Sequence, residues 1–263
     1  MDSTLAKGLS VLEWLARQSG PRRASDVALA LGLVRSNAHR TLQTLVLCGW
    51  AEQDAITSAY RASLRLFELG ALVHTAADLK TLLHPVLARL AAACGETIHL
   101  AVLDGAEIIT LDKFDSPLPV AAYSRIGGRA PAACVASGKA LLAALNPDAA
   151  ALHARLGALL AHTPHSIVVP AQLQAELERI RRQGYAENRE EWRLGVCGLG
   201  VPVFDALGEP LAAVGMSVPS IRFSRTQVRG LAAGLLACAR DASQVLGYRG
   251  TAAQPVSRLR RPA

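Results

Sequence analysis

Residues 25–53, SDVALALGLVRSNAHRTLQTLVLCGWAEQ, contain two helical apolar patterns separated by a glycine. Apolar side chains return every three or four positions in both halves, which is the spacing of one helix face. Ser25 can cap the first helix, and Gly32 supplies the residue that ends it. Ser36 can cap the second, which runs to about Leu47 and stops at Gly49. The front of this second helix carries Arg35, Ser36, Asn37 and His39, with Arg40 one turn in and Thr44 beyond, while Ala38, Leu42, Leu45 and Val46 can face a core. A helix presented by its polar N-terminal end after a tight turn is how helix-turn-helix proteins enter the major groove. Polar residues at a helix start are also what capping alone produces, so the stretch supports both readings.

The flanking residues favour the groove-entering helix. Upstream, Leu5, Leu9, Val11, Leu12, Trp14 and Leu15 give a helical face that ends at Ser19-Gly20-Pro21. Downstream, WAEQDAITSAYRAS forms two short strand-like pieces around a polar turn. Three helices followed by a hairpin is the order of a winged helix-turn-helix domain, here spanning residues 1–63. Arginine can pair bidentately with guanine and asparagine with adenine, whereas Ser, Thr and His reach phosphates. Arg22 and Arg23 before the second helix, and Arg61 on the wing, are further phosphate candidates.

Residues 64–79 keep helical spacing and fit a linker helix; a new helix is expected at HPVLARLAAACG, with Pro85 in its first turn. From there the pattern becomes mixed. ETIHLAVLDGAEIITLDKF is a hairpin around Asp104-Gly105, and GVCGLGVPVFDALGEPLAAVGMSV another around Ala206–Glu209. SGKALLAALN, AQLQAELERIRRQGY and TQVRGLAAGLLACARDASQVLG read as helices. Residues 80–250 therefore form an α+β domain, and residues 251–263 a flexible basic tail.

At 263 residues, 51% hydrophobic and 19% charged, the chain can build two cores. Its net charge of +7 favours a polyanionic partner. The five cysteines (Cys48, Cys94, Cys134, Cys197, Cys238) have no CxxC spacing and read as buried free thiols. Lys7, Glu13 and Arg17 interrupt the first apolar stretch, which excludes a signal peptide there, and no apolar run is of spanning length. A cytoplasmic protein without membrane contact is expected.

The second domain looks suited to a small molecule. Ser137 and Gly138 stand at a helix start, where free N–H groups favour an anion, although Ser137 can equally be a simple cap. Asn188, placed in a loop, and Ser217, at a strand end, are neutral groups of the kind pockets use. His99 reads as a surface histidine, and Glu190-Glu191 as a solvated pair. His162 and His165 lack a nearby carboxylate or thiol, so neither a metal nor a cofactor is expected. Arg125, Arg129 and Arg222 can pair with a carboxylate ligand or decorate the surface. The ACVASGKA segment lacks the glycine and the Ser or Thr of a phosphate loop, and no GxSxG, HExxH or GxGxxG element follows a strand. Two alternatives remain: an enzyme without a visible nucleophile–base pair, and a constitutive DNA binder whose second domain serves assembly.

The segments LAKGLSVLEWLA, SDVALALGLVRSNAHRTLQTLVLCGWAEQ, YRASLRLFELG, HPVLARLAAACGETIHLAVLDG, SRIGGRAPAACVASGKALLA, RRQGYAENREEWRLGV and PVFDALGEPLAAVGMSVP follow one another up to about Gly247. In kind and order they resemble the IclR family of bacterial transcriptional regulators. The resemblance implies a GAF-like C-terminal domain that binds a carboxylic or aromatic acid, and a homodimer or dimer of dimers on double-stranded operator DNA. Family effector positions fall on Ala136, Ser137, Asn188, Gly198, Gly215 and Ser217, with Ile126 and Gly127 on the rim. Relatives often carry His and Thr where this chain has Ala133 and Val135, an acid at Asn188 and a Cys at Gly198. Those departures imply a roomier and more apolar pocket wall.

Overall fold

The computed structural model describes residues 3–71, 74–122 and 124–250; the basic tail from Thr251 lies outside them. The chain divides into two compact units, Met1–Ala77 and Asp78–Ala263.

In the first unit, helices α1 (Ser3–Ala16), α2 (Ala24–Leu31) and α3 (Arg35–Leu47) precede strands β1 (Ala51–Gln53) and β2 (Tyr60–Ala62) and helix α4 (Arg65–Ala71). The two strands pair antiparallel, Glu52 opposite Arg61. The core is Val11, Leu15, Val27, Ala38, Leu42 and Tyr60. Gly32, at φ 62°, closes α2 as the sequence implies. The capping differs from expectation. Helix α2 starts one residue before Ser25, and the Asp26 carboxylate accepts the Arg23 N–H at 3.0 Å. Ser36 is the second residue of α3, whose cap position is Val34 with no side-chain hydrogen bond. Extended backbone at Val34 is enough to launch the helix, with no side chain capping its first turn. Leu5 and Leu9 are exposed rather than core, because the small core covers only the last two turns of α1.

Helix α5 (His74–Cys94) contains Pro85 in its interior, so no new helix starts at His84. Proline costs one backbone hydrogen bond there, but Leu79, Leu83, Val86, Leu87 and Leu90 bury one continuous face, which holds the helix on both sides. Strands β3 (Thr97–Asp104), β4 (Glu107–Phe114), β5 (Arg129–Pro131), β6 (Ala186–Arg189), β7 (Val196–Phe204) and β8 (Pro210–Pro219) form an antiparallel sheet in the order β5-β4-β3-β8-β7-β6. The β3–β4 turn is Gly105-Ala106, with Gly105 at φ 60°. Asn188 lies in β6, a strand the sequence hides because it is short and half polar. Helices α6 (Ala136–Leu145), α7 (Ala149–Leu156), α8 (Pro170–Gln183) and α9 (Arg225–Val245) complete the unit. Strand alternation divides its core in two. Ile98, Leu100, Val201, Val214 and Met216 pack with α5 and α9, while Ala101 and Ala213 face the α6 and α8 side.

Candidate functional site

Two sites emerge, one in each unit. On α3, Ala38, Leu42 and Leu45 are buried, so Arg35, Ser36, His39, Arg40 and Thr44 project outward together. Arg35 and His39 carry no protein partner among the described residues. Half-buried Asn37 accepts a hydrogen bond from Arg40 Nη2 at 3.0 Å, so the two side chains are positioned as a pair. Gln43, overlooked in the sequence, donates to the Tyr60 hydroxyl at 2.8 Å and to Gln53 Oε1 at 3.1 Å, fastening α3 to the wing. Arg22 joins the same small sheet through two backbone hydrogen bonds with Tyr60, at 2.8 and 2.7 Å, and its side chain is exposed, as is that of Arg23. Arg61 differs: its guanidinium donates to Glu52 Oε2 from Nε at 2.9 Å and Nη2 at 2.7 Å, so a phosphate must compete with that carboxylate.

In the second unit, register builds the site row by row. One row across the sheet reads His99, Gly215, Gly200, Ala186, and the next Thr97, Ser217, Gly198, Asn188. Alternation turns these residues toward α6. The start of α6 rests directly on Gly200, where a β-carbon would come within 2.4 Å of the Ala136 carbonyl carbon. A β-carbon on Gly138 would meet the Ala132 oxygen at 2.3 Å, so the segment before α6 is packed just as closely. Between the helix start and the second row lies a cavity of about 300 Å³. Its lining includes Ala136, Ser137, Asn188, Gly198 and Ser217, together with His99, Ser124 and Trp192. Ile126, Gly127 and Gly215 stand outside this lining.

Ser137 does not cap α6; the cap position is Val135. Its hydroxyl is buried and meets no partner. His99 is no surface histidine: its ring lies over Gly215, where a β-carbon would fall 2.0 Å from Nε2. It is buried, its Nδ1 is unpartnered, and burial lowers its pKa to about 4, so the imidazole is neutral. Glu191 is not solvated either. It is buried against Lys139, itself 1% exposed, with Nζ at 2.6 and 2.8 Å from its two oxygens. Burial raises the Glu191 carboxyl above its ordinary range despite Lys139. The Glu191 N–H donates to Asn188 Oδ1 at 2.9 Å, so the ion pair positions a residue of the cavity wall.

Arg129 is engaged by Asp104 and Glu107, and Arg222 by Glu96, while exposed Arg125 lies on the cavity rim. Cys134, Cys197 and Cys238 are buried as expected, but Cys48 is exposed and Cys94 half-buried. Burial raises the Cys197 thiol, which leaves the cavity without a reactive thiolate.

A family model for the IclR helix-turn-helix domain matches residues 4–55, and one for the bacterial transcriptional regulator IclR C-terminal domain matches residues 71–244. The chain belongs to the IclR family. It is similar to the transcriptional repressor IclR of Escherichia coli, 30% identical over 246 residues, which span 93% of this chain and 90% of that protein. It is 36% identical over 224 residues to the transcriptional regulator KdgR of Dickeya chrysanthemi, covering 85% of this chain and 73% of that one. Among solved structures, an IclR homologue from Microbacterium hydrocarbonoxydans complexed with 4-hydroxybenzoate superposes with a TM-score of 0.79 at 26% identity, covering 93% of this chain and 99% of that one. This IclR-family protein is a ligand-responsive, DNA-binding transcriptional regulator, and these relatives are named as regulators rather than enzymes. Among its described residues, no helix is long and apolar enough to cross a membrane.

Proposed function

We propose that this regulator reads double-stranded operator DNA with the exposed N-terminal face of α3 and binds a small carboxylic or aromatic acid in the cavity beneath α6. It acts in the cytoplasm as a homodimer or dimer of dimers, and controls a catabolic operon. The buried, unpartnered hydroxyl of Ser137 at the start of α6 carries the ligand part of this reading. Unmet N–H groups and the helix dipole there favour an anion, and the hydroxyl adds a directed donor. Arg35, Ser36, Asn37, His39, Arg40 and Thr44 are the proposed groove residues, with Arg22 and Arg23 on flanking phosphates and Arg61 in reserve behind Glu52. Two copies related by symmetry present two recognition helices to a pseudo-palindromic site. The effector acts by binding one domain arrangement better than the other, and a coupling of about 1–3 kcal/mol is sufficient for induction.

The DNA part is tested by two substitutions with different signatures. Arg40→Ala should weaken specific and scrambled DNA alike and reduce the salt slope of binding by about one. Asn37→Ala should leave the slope in place and lose about 1–3 kcal/mol of discrimination between operator and scrambled DNA. Binding titrations across a salt series separate the two. Unchanged discrimination in Asn37→Ala removes that residue from base recognition.

A further inference from the structure

Four buried side-chain polar atoms lack a partner among the described residues, and three of them belong to residues lining the cavity: His99 Nδ1, Ser124 Oγ and Ser137 Oγ. Buried polar groups are nearly always satisfied in a folded protein, so these three atoms, on β3, on α6 and in the segment before β5, mark the groups around the cavity that still want a partner. Ser137 belongs to the anion-favouring end. His99 does not. It sits on the same row as the Gly200 on which α6 rests, with its ring laid over the Gly215 between them. A neutral imidazole offers one donor and one acceptor, which suits a hydroxyl or carbonyl and gives a carboxylate no charge to pair with. Only glycine at position 215 leaves space for the ring, because any β-carbon would overlap it.

We propose that His99 is a specificity-determining residue of this cavity, and that it selects acids carrying a second hydrogen-bonding oxygen, a hydroxyl or carbonyl, besides the carboxylate. This rests on the reading of the cavity as the effector site. Ser137 and the first N–H groups of α6 hold the carboxylate; His99 sets specificity. The low pKa of His99 keeps the ring neutral through the physiological range, so the selection does not depend on charge.

The test uses the full-length protein and matched acids that differ by one oxygen: benzoate against 4-hydroxybenzoate, and butanoate against 4-hydroxybutanoate. Affinities come from calorimetric titration of the wild type, His99→Leu, His99→Gln and Ser137→Ala. In the wild type, the hydroxylated member of at least one pair should bind ~10–100-fold more tightly, the worth of one or two buried hydrogen bonds. The pair that shows this also tells whether the ligand is ring-based or open-chain. His99→Leu should bring that ratio close to one while leaving the affinity for the plain acid in place, and His99→Gln should keep part of it. Ser137→Ala should weaken both members of a pair equally. A ratio unaltered in His99→Leu, with melting and DNA binding as in the wild type, overturns the role of His99 and leaves the effector reading standing. Failure of every acid to bind the wild type at millimolar concentration overturns both.

Discussion

Gly138→Ala should destabilise the second unit by on the order of 3 kcal/mol, the reverse of what helix propensity favours. Inside an ordinary helix, alanine is about 1 kcal/mol better than glycine. Here the added carbon would fall 2.3 Å from the Ala132 oxygen and 2.4 Å from its α-carbon, both backbone atoms that cannot rotate away. The start of α6 would have to lift from the turn before it, and the cavity would open with it. Gly230→Ala is the control, since that glycine lies in α9 with nothing within 4 Å of a new carbon; it should stabilise by roughly 1 kcal/mol. Denaturant titrations of the two variants should therefore shift in opposite directions. If Gly138→Ala matches Gly230→Ala, the close packing of α6 against residue 132 is wrong.

Lys139→Met is expected to cost about 3–5 kcal/mol, the usual penalty for stranding one member of a buried ion pair. Glu191 would lose two hydrogen bonds while remaining buried, and the backbone that orients Asn188 would loosen. The double variant Lys139→Met/Glu191→Leu should recover much of the loss, because an apolar pair carries no stranded charge. The pH dependence has a definite sign. A carboxyl whose pKa is raised by burial costs nothing while protonated, and the cost grows as pH rises through its folded value. Removing Lys139 removes the strongest influence lowering that pKa, so the variant's deficit should be smallest in acid and largest near neutrality. Urea unfolding at several pH values checks this. A deficit independent of pH would mean that Glu191 stays uncharged in the wild type.

Local signals carried the DNA-reading unit. The spacing of Ala38, Leu42 and Leu45, the glycine at 32 and the short polar hairpin each act within a few residues, so helix order and the outward face of α3 were legible. Caps were not, because Val34 launches α3 by backbone conformation alone. In the second unit the hairpins were legible from alternation and turn residues, and Ser137, Asn188 and Ser217, singled out in the sequence as pocket candidates, line the cavity. The pairing that builds the site was not. His99 meets Gly215 through sheet register, and Lys139 meets Glu191 across 52 residues. In isolation His99 sits on an alternating strand and Glu191 in a charged run, patterns that ordinarily mean solvent. Pro85 misled for a related reason: its local cost is real, but a helix buried along one face tolerates it.

The most direct test of the whole reading is a mobility-shift titration on the DNA upstream of the protein's own gene, against scrambled competitor, across a salt series and then with paired plain and hydroxylated acids. A specific shift that weakens steeply with salt and is altered by one acid is the predicted result. A shift indifferent to every acid would contradict the effector role of the cavity. No specific shift at any salt would contradict the assignment of α3 as the reader of an operator in that DNA.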